Sequence, residues 1–190
     1  MSFISYDPIL GTVKLTDIDP DGPGPLNPKA TRQSFSFEGL RGYDAALGGG
    51  EFVYAQAGAT LTAGAIVQFN QSQDSQNRMV NAANPWAGTA NSGDVLGVGL
   101  VAMTSGQWGW FQVGGNAIVN CSGAPVAGNP VFWQASGVVS PTAVAGKQME
   151  GAKFATAPAI TLGSGSSAIT LSGTQAVVLL NRPSAQGAIT

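Results

Sequence analysis

Few residues in this chain could do chemistry, and their spacing excludes most reactions. No histidine occurs, which removes the usual general base, the Ser-His and Cys-His pairs and the commonest transition-metal ligand. A glycosidase needs two positioned carboxyls. Past Glu51, however, the strand-rich part of the chain carries only Asp74, Asp94 and Glu150. Asp74 lies in the polar run Gln71–Asn77 and Asp94 in the turn Asn91-Ser92-Gly93-Asp94, so both read as exposed loop residues. Asp17-Ile18-Asp19-Pro20-Asp21-Gly22 opens like a calcium loop, but that site needs a bidentate Glu at its twelfth position. Here that position is Pro28, and Pro20, Pro23 and Pro25 stiffen the segment, so a solvated acidic turn is expected. Gly48-Gly49-Gly50 lacks the Lys-Ser/Thr and helix of a phosphate loop. Cys121 is the lone thiol, set in the alternating run Ala117-Ile118-Val119-Asn120-Cys121, and reads as buried and inert. The expectation is a chain that is not an enzyme and holds no cofactor or metal.

The densest aromatic cluster is Trp108-Gly109-Trp110-Phe111-Gln112-Val113. On a strand, Trp108 and Trp110 share one face while Phe111 and Val113 share the other. Apolar character on both faces means burial on both sides, in a core or a subunit interface. The functional rival is an aromatic platform stacking on sugar, but the polar and acidic partners that sugar recognition needs are scarce nearby.

The elements that must position these residues are short strands. Phe52–Ala57, Ala65–Asn70, Arg78–Ala82, Val95–Met103, Gln107–Val113, Asn116–Cys121, Pro130–Gln134, Gly137–Ser140, Gly151–Thr156, Ala168–Leu171 and Ala176–Asn181 are each bounded by Gly, Pro, Asn or Ser. This pattern predicts an all-β fold, a sandwich or barrel of short antiparallel strands. Only Arg41–Leu47 and Ala145–Ala152 have room for a helical turn or two. Thr62-Ala63-Gly64-Ala65-Ile66-Val67-Gln68-Phe69 echoes Val126-Ala127-Gly128-Asn129-Pro130-Val131-Phe132-Trp133. The echo fits either a repeated β unit or common hairpin chemistry, since glycine permits the positive φ of a tight turn.

Charge is scarce and uneven. Charged residues make up 9% of the 190 residues, against about 25% in an ordinary globular protein. Residues 1–51 hold eleven of the eighteen charged side chains, and 52–146 hold only Asp74, Arg78 and Asp94. A monomer stays soluble through a mixed charged surface, so the neutral stretch suggests an outside that faces other protein. Residues 1–50 read as an extended arm. Four prolines fall between Pro20 and Pro28, Ser34–Glu38 alternates like one edge strand, and Gly48–Gly50 reads as a flexible joint. Residues 51–183 form the expected β body and 184–190 a tail. A net charge of −2 leaves no footprint for nucleic acid. No leader segment is visible, and Val95–Met103 is far shorter than the roughly 20 apolar residues of a membrane span. Synthesis in a reducing cytoplasm and no membrane partner are expected.

The order Gly50-Glu51-Phe52-Val53-Tyr54-Ala55-Gln56-Ala57-Gly58-Ala59, Ala63-Gly64-Ala65-Ile66-Val67, Val95-Leu96-Gly97-Val98-Gly99, Gly106–Val113, Ala127-Gly128-Asn129-Pro130-Val131 and Ala176–Pro183 resembles the small β-rich capsid decoration, or cement, proteins of tailed bacteriophages. The resemblance implies a non-enzymatic virion protein on the capsid outer surface, made in the host bacterial cytoplasm. It also implies a homotrimer that bridges subunits of the major capsid protein. Trp108, Trp110, Phe111 and Trp133 would then pack the body or trimer core. The arm, with Pro20, Pro23, Pro25, Arg32, Phe35, Phe37 and Arg41, would reach a neighbour. The alternative is a phage fibre or adhesin module whose aromatic face binds a host glycan.

Overall fold

The computed structural model describes residues 4–5, 14–20, 40–73 and 79–188. Thirteen strands run through them: β1 (Ile4–Ser5), β2 (Leu40–Asp44), β3 (Gly48–Ala57), β4 (Ile66–Gln73), β5 (Met79–Pro85), β6 (Leu96–Gly99), β7 (Trp108–Asn120), β8 (Pro130–Ala135), β9 (Val138–Ser140), β10 (Gln148–Phe154), β11 (Thr161–Leu162), β12 (Ile169–Thr170) and β13 (Gln175–Ala185). The fold is all-β, as the alternating pattern requires. Most pairings are antiparallel, and the short β3–β5 contact is parallel.

The strands close into two rings that share β7. In the first, β3 pairs β5, β5 pairs β4, β4 pairs β6, β6 pairs β7, and β7 returns to β3. In the second, β7 pairs β13, followed by β10, β8 and β9. A parallel bridge between Val139 and Cys121 closes it, with Ser122 N–H donating to Val139 O at 2.9 Å. Of sandwich or barrel, the architecture is therefore two small barrels fused along one strand. Closure leaves few unpaired edges to recruit other strands.

Each barrel is filled from the inward half of its alternating strands. Val53, Ala55, Ala57, Val67, Phe69, Ala83, Phe111 and Val113 fill the first. Ala117, Val119, Cys121, Val131, Val139, Ala152, Phe154, Ala176, Val178 and Leu180 fill the second. Ile66, Trp86, Leu96 and Val98 pack the outside of the first barrel into the second core. A third cluster, with Leu15, Leu40, Leu47, Phe52, Trp110, Ile118, Leu171 and Val177, covers the opposite face of β3, β7 and β13.

Several sequence expectations are corrected here. Arg41–Leu47 is not helical: it is most of β2 and the turn into β3. Asp44 Oδ1 accepts from the N–H groups of Ala46 and Leu47 at 2.8 and 3.1 Å, closing that turn. Ala145–Ala152 is likewise a turn followed by β10. Gly48–Gly50 is no joint but the start of β3, paired with Gly42–Asp44. Gln107–Val113 and Asn116–Cys121 belong to one strand, since Gly115 takes φ +83° and carries β7 from one barrel into the next. The strand expected over Val95–Met103 is regular only at Leu96–Gly99. The tail boundary also moves, because β13 runs to Ala185.

Candidate functional site

Cross-strand register builds the aromatic face. Tyr54 on β3 lies opposite Trp110 on β7, and Gln56 opposite Trp108. Tyr54 stacks on Trp108 with centroids 5.6 Å apart and tilts against Trp110 at 5.3 Å. Phe111 and Val113 point the other way, into the first barrel, where Phe69 meets Phe111 edge to face. The two faces of this strand are thus both apolar and both covered.

The chain's own residues 14–20 border this face, with Asp19 beside Trp108 in the sheet and Leu15 in one cluster with Trp110. Asp19 and Trp108 exchange both backbone hydrogen bonds at 2.8 Å. The Tyr54 hydroxyl donates to Asp19 Oδ2 at 2.8 Å. Leu15 is fully buried in the third cluster, and Lys14 sits 3.8 Å from Asp17 on the exposed side. Asp19 is therefore not part of a solvated acidic turn. Its carboxylate is buried because it satisfies a tyrosine that sequence spacing could not connect to it. With Trp108 and Trp110 only 6% and 7% exposed, no open platform for a sugar ring exists there.

Trp133 is built differently. Its indole N–H donates to Trp86 O at 3.0 Å, and Lys147 Nζ lies 4.0 Å from the ring centroid, a cation–π geometry. The ring also rests on Gly88, where a Cβ would come within 2.2 Å of it. It is half-buried at the edge of the second core.

The other residues expected to meet a partner divide between seen and unseen. Pro23, Pro25, Arg32, Phe35 and Phe37 lie outside the described residues, as do Asp74 and Arg78. Pro20 is exposed directly after the buried Asp19, and Arg41 is exposed on β2 opposite Glu51. Glu51 in turn forms a two-point ion pair with Arg182, through Nε at 3.1 Å and through Nη2. That pair holds the guanidinium charged beyond its ordinary range, first through the hydrogen bond. Sequence reasoning did not find this contact, because 131 residues separate its members.

Cys121 lies in the second core, and burial raises its thiol pKa. Because the thiolate is the nucleophile, its alkylation by iodoacetamide should be at least ~100-fold slower in the native protein than in urea-unfolded protein. Mass spectrometry of quenched time points measures this, and equal rates would refute the placement.

Across residues 52–146 the one charged side chain among the described residues is the half-buried Asp94. The loops at the barrel ends, 58–63, 104–107, 122–129 and 172–175, present Gly, Ala, Ser, Thr, Gln, Pro and Asn, with Val126 56% exposed. Among the described residues no three His, Cys, Asp or Glu side chains group as metal ligands. No helix among them is long and apolar enough to cross a membrane.

No protein-family model matches the sequence, and no curated protein matches it. Among solved structures the chain is similar to the head fiber gp8.5 N base of bacteriophage phi29. The TM-score is 0.46 and the sequence identity 11%, over 70% of this chain and 95% of that one.

Proposed function

We propose that this protein is a non-catalytic structural component of a phage virion that binds the outside of the capsid and bridges neighbouring major capsid protein subunits. One observation carries the reading: a closed β body whose described surface from residue 52 to 146 is almost uncharged. Such a surface suits cover by other protein better than free solution. The sequence resemblance over residues 50–183 points the same way. Assembly as a trimer would let many modest contacts add across a symmetric shell through effective concentration. The glycan-binding alternative loses its platform, because Trp108 and Trp110 are both buried.

Light scattering of the purified chain, followed by sedimentation with empty heads of the parent virus, tests the proposal. A trimer that co-sediments with heads is the expected result, and a monomer that ignores heads overturns it. Removing residues 1–44 would not isolate the arm's part, since Leu15 and Leu40 are core residues. The arm is tested by the triple variant Arg32→Ala, Phe35→Ala, Phe37→Ala. It should keep the parent's melting temperature and lose head occupancy.

A further inference from the structure

We infer that residues 50–181 are two copies of one β unit, overlapping in β7, which ends the first copy and begins the second. The strand connections are the same twice over. β3, β4, β5, β6 and β7 pair among themselves as β7, β8, β9, β10 and β13 do, including the parallel contact of the opening strand with the third. The backbone hydrogen bonds outside the strands repeat as well. Gly58 N–H donates to Ala83 O as Ser122 N–H does to Val139 O, both at 2.9 Å. Gly64 N–H reaches Gly99 O as Gly128 N–H reaches Phe154 O, both at 2.8 Å. Ala57 N–H reaches Gln107 O as Cys121 N–H reaches Thr174 O.

The sequence echo falls on these equivalences. Gly64 and Gly128 both take positive φ at the same turn, and Phe69 and Trp133 follow at the same distance. Inward residues also correspond: Val53, Ala55 and Ala57 fill the first barrel as Ala117, Val119 and Cys121 fill the second. One cross-strand pair exchanges bulk. Gly99 lies opposite Phe111 in the first unit, and Phe154 opposite Val178 in the second. The aromatic ring is supplied from opposite strands, which sequence comparison alone would score as two mismatches.

The units differ in two excursions. Where β8 turns into β9 through Ser136-Gly137, β4 and β5 extend as a ribbon whose Gln71–Gln73 and Met79 are exposed. The second unit instead carries β11 and β12 between β10 and β13. If the units are equivalent, the first does not need its longer ribbon in order to fold.

Replacing residues 72–81 by Ser-Gly tests this. The shortened chain should keep one cooperative thermal transition within about 5 °C of the parent. If it does not fold, the exchange Phe154→Val with Val178→Phe decides, because the shortened chain also loses the buried Val80. Each single change should lower the melting temperature by several degrees, through a cavity or through overpacking. The pair, which moves the ring to the strand that carries it in the first unit, should recover most of the loss. A pair that falls by the sum of the two single losses overturns the equivalence.

Discussion

Gly115→Ala is expected to destabilise the fold severely. A Cβ at this position would stand 2.1 Å from Gly49 O and 3.0 Å from Gly50 Cα. Those atoms are backbone of the paired β3, so no side chain can rotate away. The position also needs φ +83°, where any L side chain is strained. The two costs add where β3, β7 and β13 meet, because Gly115 pairs with both Gly50 and Leu180. Together they should remove about 4 kcal/mol or more, a large part of a stability of about 5–15 kcal/mol. Gly106→Ala is the control. Its φ is +89° with nothing within 4 Å of the added carbon, so only the conformational cost of about 1 kcal/mol applies. Thermal unfolding followed by circular dichroism separates the two, and a Gly115→Ala variant as stable as Gly106→Ala would contradict the packing described.

Gln112→Met should cost about 2–3 kcal/mol, which at this chain length is a fall of roughly 4–12 °C in melting temperature. Gln112 is completely buried. Its amide nitrogen donates to Gly114 O at 3.0 Å and Asn116 O at 2.9 Å, clamping the stretch where β7 passes between barrels. Methionine keeps much of the volume and removes both donors, so the loss reports on hydrogen bonds rather than on a cavity. Gln112→Glu should be worse at neutral pH than at acidic pH. A buried carboxylate would face two carbonyl oxygens, its folded-state pKa would rise, and stability would fall as pH rises past the unfolded-state value. Chemical denaturation at two pH values measures this, and a pH-independent loss would contradict the assigned contacts.

Local pattern revealed the strands, while their closure came from contacts no local pattern encodes. Val53, Ala55 and Ala57 alternate with Tyr54 and Gln56, and that alternation alone places a half-buried strand. The turn glycines Gly64 and Gly128 were readable for the same reason: a tight turn before an apolar run needs a residue free to take positive φ. Gly114-Gly115 misled, because two glycines inside an apolar run look like a break when they are in fact a crossing point. Gly97 and Gly99 stand within β6 for a reason that local pattern does not give. They face the interior of the first barrel, where a Cβ on Gly97 would meet the Phe69 ring at 2.9 Å. Asp19 could be placed only once Tyr54 was seen beside it, and β2 only once β3 lay along it. Of the aromatic residues, the sequence correctly assigned Trp108 and Trp110 to one face and Phe111 to the other. It could not tell that residues 14–20 of the same chain would pair beside that face.

The sharing of β7 has a mechanical consequence. Two domains joined by a linker yield at the linker when pulled, but here no linker exists between the barrels. Tension between their far ends runs down the covalent backbone of one strand. The ladders of β3 and β13 flank that strand on either side and are loaded in shear, so their hydrogen bonds must give way together rather than peel one at a time. The molecule should therefore behave as a stiff strut, stretching little until it fails at once.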